Sequence, residues 1–420
     1  MIKLSSYICG LDIGSSKISA ALVEIKGKRL NNIFFETALS KGVKSGVIVD
    51  SIELVAAVSK LMKSLKAKSG INVKHVYTNI SGQDIVTKRS RAIIPLAERG
   101  NKVITQTDID HVNDQARILG STIEEEIIQI IPSSYTIDPK SNCVNPLGLY
   151  SHRLEVDLYL VCGRLSSIQS LARVMHQSGY DIKDVFFSGY ATSRAVAGAE
   201  FKNGINFFCD VGSDITEILM FKDGVLHDVE ILPIGGDDMT AELSDTLKIP
   251  FELAEDIKRS HGIIGDSGQI GEAKEILVKK SEMYKPIKQR LVAEVITQSA
   301  KKICLKIKEA IDKKGPLYEV NSFIIVGRAL LLEGFIETLE NTLSIPVKLG
   351  RIHDSEILSL VKENETVAGQ RYLNYLTAIG MVCEGLVRHR PPTMVPIHQP
   401  AKNMVTKAVN RFKEVYQEYF

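Results

Sequence analysis

Two short stretches carry residue types at a spacing that could do chemistry. One is Asp12-Ile13-Gly14-Ser15-Ser16-Lys17, and the other, roughly 200 residues further on, is Asp210-Val211-Gly212-Ser213. In each, an apolar run ends in an aspartate, a glycine follows two positions later, then a serine, and an apolar strand returns. Laid on one another, Asp12 falls on Asp210, Gly14 on Gly212 and Ser15 on Ser213, with ISAALVEIKG against TEILMFKDG behind them. Glycine lets backbone N–H groups approach phosphate oxygens, and hydroxyls and a lysine add donors. The two aspartates, Asp12 and Asp210, would hold Mg²⁺ through waters, because that ion keeps several of its own. One D-x-G-S segment alone is equally an ordinary hairpin turn, and it is the matched pair that points to a nucleotide clamp. A third element, FIIVGRALLLEG at 323–334, is an apolar strand ending in Gly327 that continues as a helix-like segment to Gly334 and beyond. Such a turn offers its backbone to a ribose or base, or a helix N-terminus to a phosphate; taken singly it is also a plain strand–helix turn.

A hairpin with an acidic residue before its tip needs a sheet behind it, and two such hairpins imply two similar lobes facing each other. The chain, 420 residues long, suffices for two to four domains, and 44% hydrophobic with 24% charged residues is ordinary for a soluble globular protein. A formal charge of +2 provides no global field for nucleic acid, so no nucleic-acid partner is expected. The six cysteines, Cys9, Cys143, Cys162, Cys209, Cys304 and Cys383, show no C-x-x-C spacing and read as reduced core residues of a cytosolic protein. Asp12 interrupts the first apolar run too early for a signal peptide, and no run approaches the ~18–20 apolar residues of a spanning helix.

Residues 386–403, LVRHRPPTMVPIHQPAKN, hold four of the thirteen prolines and little helical periodicity, as an extended linker does. MVTKAVNRFKEVYQEYF follows. It places Val405, Ala408, Val409, Phe412, Val415, Tyr416, Tyr419 and Phe420 on one apolar stripe flanked by Lys407, Arg411 and Lys413. A stripe of this kind docks on its own domain or lies on an anionic membrane surface, and the proline tether favours the membrane. One such helix binds weakly, by apolar burial plus roughly 1 kcal/mol per basic residue, so anchoring needs the many tails of a polymer at once.

GLDIGSSKI, SGVIVD (45–50), NPLGLYSHRLEVDLYLV (145–161), SGYATSRAVAG (188–198), DVGSDITEI, LPIGGDDMTAELS (232–244), VGRALLLEG and YLTAIGMVCEG (375–385) follow one another in an order that resembles the actin and Hsp70 ATPase clan. In detail they resemble the bacterial cell-division FtsA family, over almost the whole chain. The resemblance implies an α/β chain of actin-like two-lobed fold, with duplicated ribonuclease H-like lobes and an FtsA-type inserted α+β subdomain. By the same resemblance, 1–82, 164–198 and 371–388 form the first lobe core, 83–163 the inserted subdomain, and 199–231 with 305–370 the second lobe core. The small upper subdomain is 232–304, the linker 389–401 and the amphipathic membrane helix 402–420. The family ligands implied are ATP and Mg²⁺, which adds Ser16, Lys17, Thr216 and Arg328 to the candidate residues. Also implied are filament formation, a grip on the tail of FtsZ by the small subdomain, and recruitment of later divisome membrane proteins by the inserted one. The place implied is the cytoplasmic face of the cell membrane at the division septum, with Val405, Val409, Phe412, Lys413, Tyr416 and Phe420 against lipid. The Lys- and Arg-rich region 273–313 suits an acidic peptide, and also reads as a solvated helical face.

The chain departs from the family in two places. Where the family's second loop reads D-[IV]-G-G-G-T-T-[DE], Ser213, Asp214 and Ile215 stand across G-G-T. A carboxylate facing the terminal phosphates at ~4 Å costs about 1 kcal/mol in water-like surroundings and about 4 at an effective dielectric of about 20, the latter roughly a thousandfold in affinity. The family's G-G-G in the adenosine segment appears as Gly327-Arg328-Ala329, and Glu333 replaces the proline before the last glycine. Arg328 either blocks the base pocket, or stacks on adenine or reaches a phosphate. The first loop is intact. Weak nucleotide binding with slow or absent hydrolysis is therefore expected, in a mainly structural protein. The edited loop argues against a phosphotransferase of the clan. A PilM-like pilus-assembly protein would share the inserted subdomain but not the tether and final helix.

Overall fold

The computed structural model describes residues 6–27, 29–97, 100–138, 141–265, 275–280 and 283–389. The linker and the 402–420 helix, with its six lipid-facing candidates, lie outside them. Strand Ser6–Ile13 is buried from Ile8 onward, as expected of an apolar strand covered on both faces. It pairs antiparallel with Lys17–Lys26, Asp12 opposite Ser19, and parallel with His75–Ile80. The sheet runs Asp181–Phe187, His75–Ile80, Ser6–Ile13, Lys17–Lys26, Arg29–Leu39. A second five-stranded sheet repeats this plan in the order Lys348–Leu349, Val320–Val326, Ile205–Val211, Thr216–Lys222, Val225–Leu232. There too the strand carrying the aspartate is central, parallel to Val320–Val326 on one side and followed by its hairpin partner on the other. The repeat seen in the sequence is thus a repeat of whole sheets.

The chain groups into two compact units. Residues up to Asn203, Met220–Val229 and those from Arg351 on form the first, and Gly204–Leu219 with Glu230–Gly350 the second. In the first unit, helix Ser51–Ser69 opens at Asp50, whose carboxylate accepts from the N–H groups of Ile52 and Glu53, and closes at Gly70 in the left-handed region. Its stripe of Leu54, Val58, Leu61, Met62 and Leu65 shares a core with Leu11 and Leu22 of the sheet. Helices Ser188–Val196 and Leu376–His389 pack backbone to backbone: a Cβ at Gly380 would overlap the Ala191 carbonyl. Thr192 and Thr377 share a hydroxyl hydrogen bond of 2.9 Å, and Arg194 Nε donates to Glu384 at 2.6 Å.

Between His75–Ile80 and Asp181–Phe187 the chain builds a separate four-stranded sheet, Ser141–Cys143, Glu125–Asp138, Arg153–Arg164, Ile85–Pro95. Helix Gln106–Gly120, started by the Thr105/Asp108 capping box, covers it. Ile109, Val112, Ala116, Leu154, Val156, Leu158 and Leu160 give this insertion a core of its own.

The second unit adds helices Gly236–Leu247, Phe251–His261, Gln289–Asp312 and Phe335–Leu343. Helix Gln289–Asp312 runs without a break through positions 304 and 305, where a subdomain border was expected, because its apolar stripe (Val292, Ile296, Ile303, Ile307, Ile311) is continuous. The helix expected after Gly327 is interrupted. Arg328–Leu331 makes a single 3₁₀ turn, and the α-helix begins only at Phe335, after Gly334 at φ 87°. Gly334 lies against the Ile264 carbonyl where a Cβ would overlap it, so the chain turns there before the helix starts. All six cysteines are free thiols, four of them buried. No helix among the described residues is long and apolar enough to cross a membrane.

Candidate functional site

The first D-x-G-S turn closes with the Gly14 N–H donating to the Lys17 carbonyl at 3.1 Å. Asp12, just before it, is only 6% exposed. Its two carboxylate oxygens accept from Asn79 Nδ2 at 3.0 Å and Ser19 Oγ at 3.2 Å. Asn79 in turn donates to Ser188 Oγ at 2.7 Å and accepts from the Ile13 N–H at 2.7 Å, so one buried amide ties three segments together. Burial raises the Asp12 carboxyl above its ordinary value, while Lys17, Ser19 and Asn79 pull it back. Ser15 Oγ accepts from the Gly46 N–H at 3.0 Å, the Ser16 carbonyl from the Ser40 N–H at 3.2 Å, and Lys17 Nζ donates to the Asn374 carbonyl. Positively charged Lys17, two hydroxyls and a glycine turn around a buried carboxylate fit a magnesium-bound phosphate, with Asp12 reaching the ion through water.

The second turn has the same closure, the Gly212 N–H donating to the Ile215 carbonyl at 2.9 Å. Here the loop is fastened to the first turn of helix Gly236–Leu247. The Gly236 and Asp237 N–H groups donate to the carbonyls of Gly212 (2.9 Å) and Ser213 (2.8 Å). A Cβ at Gly235 would overlap the Ser213 carbonyl, so only glycine permits this approach. Gly327, at φ 115°, is pressed against the Val211 backbone in the same way, which puts Arg328 beside the loop. Asp210 is half-buried on its strand.

One expectation changes at this point. Thr216 is fully buried and its hydroxyl donates to the Ile234 carbonyl at 2.8 Å, so it braces the loop from behind instead of meeting a phosphate. Arg328 is surrounded by charges of this chain. Burial, then the neighbouring Arg259, lower its guanidinium from the usual range, while Glu255 and Asp237 oppose them. The Asp214 carboxyl is hydrogen-bonded to that of Asp237, whose own value is raised to about 6, first by burial and then by Asp214. Buried Lys258 donates to the Gly236 carbonyl (2.8 Å) and to Thr240 Oγ1 (2.6 Å), and pairs with Glu255 (2.6 Å). Burial works against Glu255, but Lys258 and Thr240 outweigh it and keep that carboxyl below its ordinary range. The second loop therefore fits a phosphate only in its backbone; its side chains add carboxylates.

Sequence reasoning missed Asn79, Asp237, Glu255 and Lys258. The GGDD run at 235–238 was a usable signal for a helix start beside the loop, whereas nothing local marks Asn79 or Lys258.

The model of the family described as "Cell division protein FtsA" matches residues 208–380, and that described as "SHS2 domain inserted in FTSA" matches residues 82–162. The cell division protein FtsA of Borreliella burgdorferi is 24% identical over 349 residues, 82% of this chain and 84% of its own. The chain belongs to the FtsA family. Among solved structures, the PilM-PilN type IV pilus biogenesis complex superposes with a TM-score of 0.63 at 16% identity, covering 91% of this chain and 99% of that one. MreB 5 of Spiroplasma citri bound to AMPPNP gives 0.53 at 11% identity, covering 91% and 97%. These likenesses establish the actin-like fold of this FtsA-family chain, and PilM is a neighbour in fold alone. FtsA membership also makes it a protein of cell division.

Proposed function

We propose that this chain is an actin-like scaffold of cell division that polymerises on the cytoplasmic face of the membrane, at the septum, and ties FtsZ filaments to it. Membership of the FtsA family, through both the 208–380 and the inserted-domain matches, carries the reading. The 402–420 helix lies on anionic lipid through Val405, Val409, Phe412, Lys413, Tyr416 and Phe420, and polymerisation multiplies its weak individual binding. The tail of FtsZ docks on the second unit. Supporting this is a groove of about 790 Å³ lined by Thr297, Gln298, Lys301, Leu305, Thr338 and Asn341. Bulk positive charge contributes less than the composition of 273–313 implies. Arg290, Lys306 and Lys308 pair with carboxylates of their own helix, and Lys302 pairs with Glu242.

Later division proteins and further copies of the chain meet the inserted subdomain, where Ile118, Leu119 and Ile123 are 63%, 70% and 93% exposed. ATP with Mg²⁺ binds weakly, the candidate residues being Asp12, Gly14, Ser15, Ser16 and Lys17 of the first loop and Asp210, Gly212, Ser213 and Gly327 of the second unit, and is hydrolysed slowly or not at all. The test is flotation of FtsZ with anionic vesicles, comparing the full chain with one ending at Gln399. The full chain carries FtsZ to the lipid and the shortened chain leaves it in solution; equal flotation of both removes the tether. A calorimetric titration silent at millimolar Mg·ATP removes the nucleotide.

A further inference from the structure

The first unit gathers positive charge around one end of its five-stranded sheet. Between Glu53 and Asp84 the chain has lysines at 60, 63, 66, 68 and 74 and no acidic residue, and from Leu165 to Tyr180 it has Arg173 and no acidic residue. The helices in these stretches, Ser51–Ser69 and Leu165–Gln177, bury Leu54, Val58 and Leu61, and Ile168, Leu171 and Val174, in one core with the sheet. Their other sides therefore face outward together. Lys60, Lys63 and Lys66 recur every three residues on the exposed side of the first helix, and Arg173 is exposed on the second. Each helix leads to the start of a strand, the first through exposed Lys74 into His75–Ile80 and the second into Asp181–Phe187. The two starts are joined, the Asp181 N–H donating to the Lys74 carbonyl at 2.8 Å, and Lys183 is exposed at the bulge just beyond. Lys68 pairs with Glu36, whereas Lys60, Lys63, Lys66, Lys74, Arg173 and Lys183 have no carboxylate partner among the described residues. A basic last turn answers its own helix dipole, which accounts for Lys66 and Lys68. Lys60 and Lys63 lie too far from that terminus, and Lys74 and Lys183 are on no helix. The same end of the sheet is where helix Leu376–His389 finishes. Arg388 bonds the carboxylate of Asp184, next to Lys183, and its guanidinium lies 5.0 Å from the centre of the Phe186 ring.

We propose that this basic end of the first unit rests directly on anionic lipid headgroups, as a second membrane contact beside the one assigned to 402–420. It rests on the tether reading for its orientation, and it adds what the tether does not supply. Residues 390–401 span at most about 40 Å, so a tail held in lipid leaves the unit free to stand several Debye lengths of about 8 Å off the surface. Unpaired cations around the point where the chain leaves the unit draw it down and set which side meets the membrane. Each is worth about fivefold in partitioning onto an anionic surface.

The experiment uses the full chain with vesicles of phosphatidylcholine alone and of an equal mixture of phosphatidylcholine and phosphatidylglycerol. The first readout is lysine acetylation followed by mass spectrometry. The mixed vesicles slow modification of Lys60, Lys63, Lys66 and Lys74 several-fold and leave Lys102 unchanged, since Lys102 belongs to the insertion, which leaves the sheet after Ile80 at its opposite end. No protection of the four, or equal protection of Lys102, overturns the contact. The second readout is flotation of a variant carrying Lys60→Gln, Lys63→Gln, Lys66→Gln and Lys74→Gln. It loses about tenfold or more in partitioning onto the mixed vesicles and nothing on the neutral ones. No loss, or equal loss on both, overturns the proposal. The four side chains are exposed, so the variant keeps the parent's thermal midpoint; should it not, the acetylation pattern of the parent decides. The chain ending at Gln399 separates the two readings. If it floats as well as the full chain the tether falls, while the four-lysine variant and the acetylation pattern still decide the contact. Protection by polyglutamate, with none by the mixed vesicles, makes this face a docking site for an acidic protein segment and overturns the lipid contact.

Discussion

Replacing Asp214 by asparagine takes one carboxyl out of the pair at the second loop, and the consequence is read through Asp237. In the parent, burial first, then the hydrogen bond and charge of Asp214, raise the Asp237 carboxyl from 3.8 to about 6; Glu255 adds to the rise and Lys258 opposes it. The unfolded chain therefore releases this proton near pH 4, and the folded chain keeps it until about pH 6. Between those values the folded state holds more protons, so stability falls as the pH climbs and levels off above about 6. This is opposite to the usual salt-bridged carboxylate. A rise of about two units sets a ceiling of about 3 kcal/mol. The group is partly exposed, and screening reduces that to about 1 kcal/mol, or roughly 2–4 °C in the midpoint of a unit this size. Asparagine at 214 carries no charge and offers an amide donor to the Asp237 carboxylate, so the part of the rise due to Asp214 disappears while the part due to burial and Glu255 stays. Thermal midpoints of parent and Asp214→Asn would be measured from about pH 4.5 to 8. The variant's midpoint minus the parent's should grow by about 2 °C up to roughly pH 7 and then stay level. A difference that is flat throughout, or that shrinks with rising pH, would refute the shared-proton reasoning.

Asn79→Ala strips partners from Asp12, Ser188 and the Ile13 N–H at once, and should lower stability by about 3 kcal/mol in denaturant unfolding, where an ordinary surface asparagine would lose almost nothing. Gly380→Ala drives a methyl into the Ala191 carbonyl and parts two packed helices; about 3 kcal/mol is lost, or no soluble protein is recovered, and an unchanged midpoint would contradict the packing. Thr216→Val leaves the Ile234 carbonyl without its donor, costing about 1–2 kcal/mol while nucleotide affinity stays where it was; the reverse pattern would return Thr216 to the phosphate. His227 is held below its ordinary value by burial, then by Arg89 and Lys222, with Asp228 and Asp157 opposing, so Arg89→Met should raise its titration midpoint in an NMR series on labelled histidine.

What could be read before the structure was whatever repeats or alternates locally. The two hairpins were visible because Asp12 and Asp210, Gly14 and Gly212, sit in apolar strands whose pattern is set by burial on both faces. The insertion was visible as strand, helix, strand, because each of those periods is confined to a dozen residues. The break after Gly327 was not, since it follows from the Ile264 carbonyl arriving against Gly334 from elsewhere in the chain. Thr216 was misassigned for the same kind of reason. A hydroxyl next to a phosphate loop looks like a phosphate donor until the Ile234 carbonyl, eighteen residues on, is found behind it. Arg328 had no readable role because its neighbours, Asp237, Glu255 and Arg259, come from two other helices.

The two loops satisfy their polar groups by different routes. In the first, each candidate residue is held by a neighbour: Asp12 by Ser19 and Asn79, Ser15 by Gly46, Lys17 by the Asn374 carbonyl. In the second, the carboxylate brought in at Asp214 is met by Asp237, whose own carboxyl is opposed by Lys258. Buried polar groups have to be hydrogen-bonded, so a loop that keeps its shape without a ligand needs partners within its own chain. A nucleotide arriving at the first loop would compete for the bond Lys17 already makes, and its apparent affinity would be its intrinsic affinity multiplied by the fraction of molecules in which Lys17 is released. A change that loosens that bond without touching the backbone cradle should therefore tighten nucleotide binding, which is the reverse of what mutation of a nucleotide site ordinarily does.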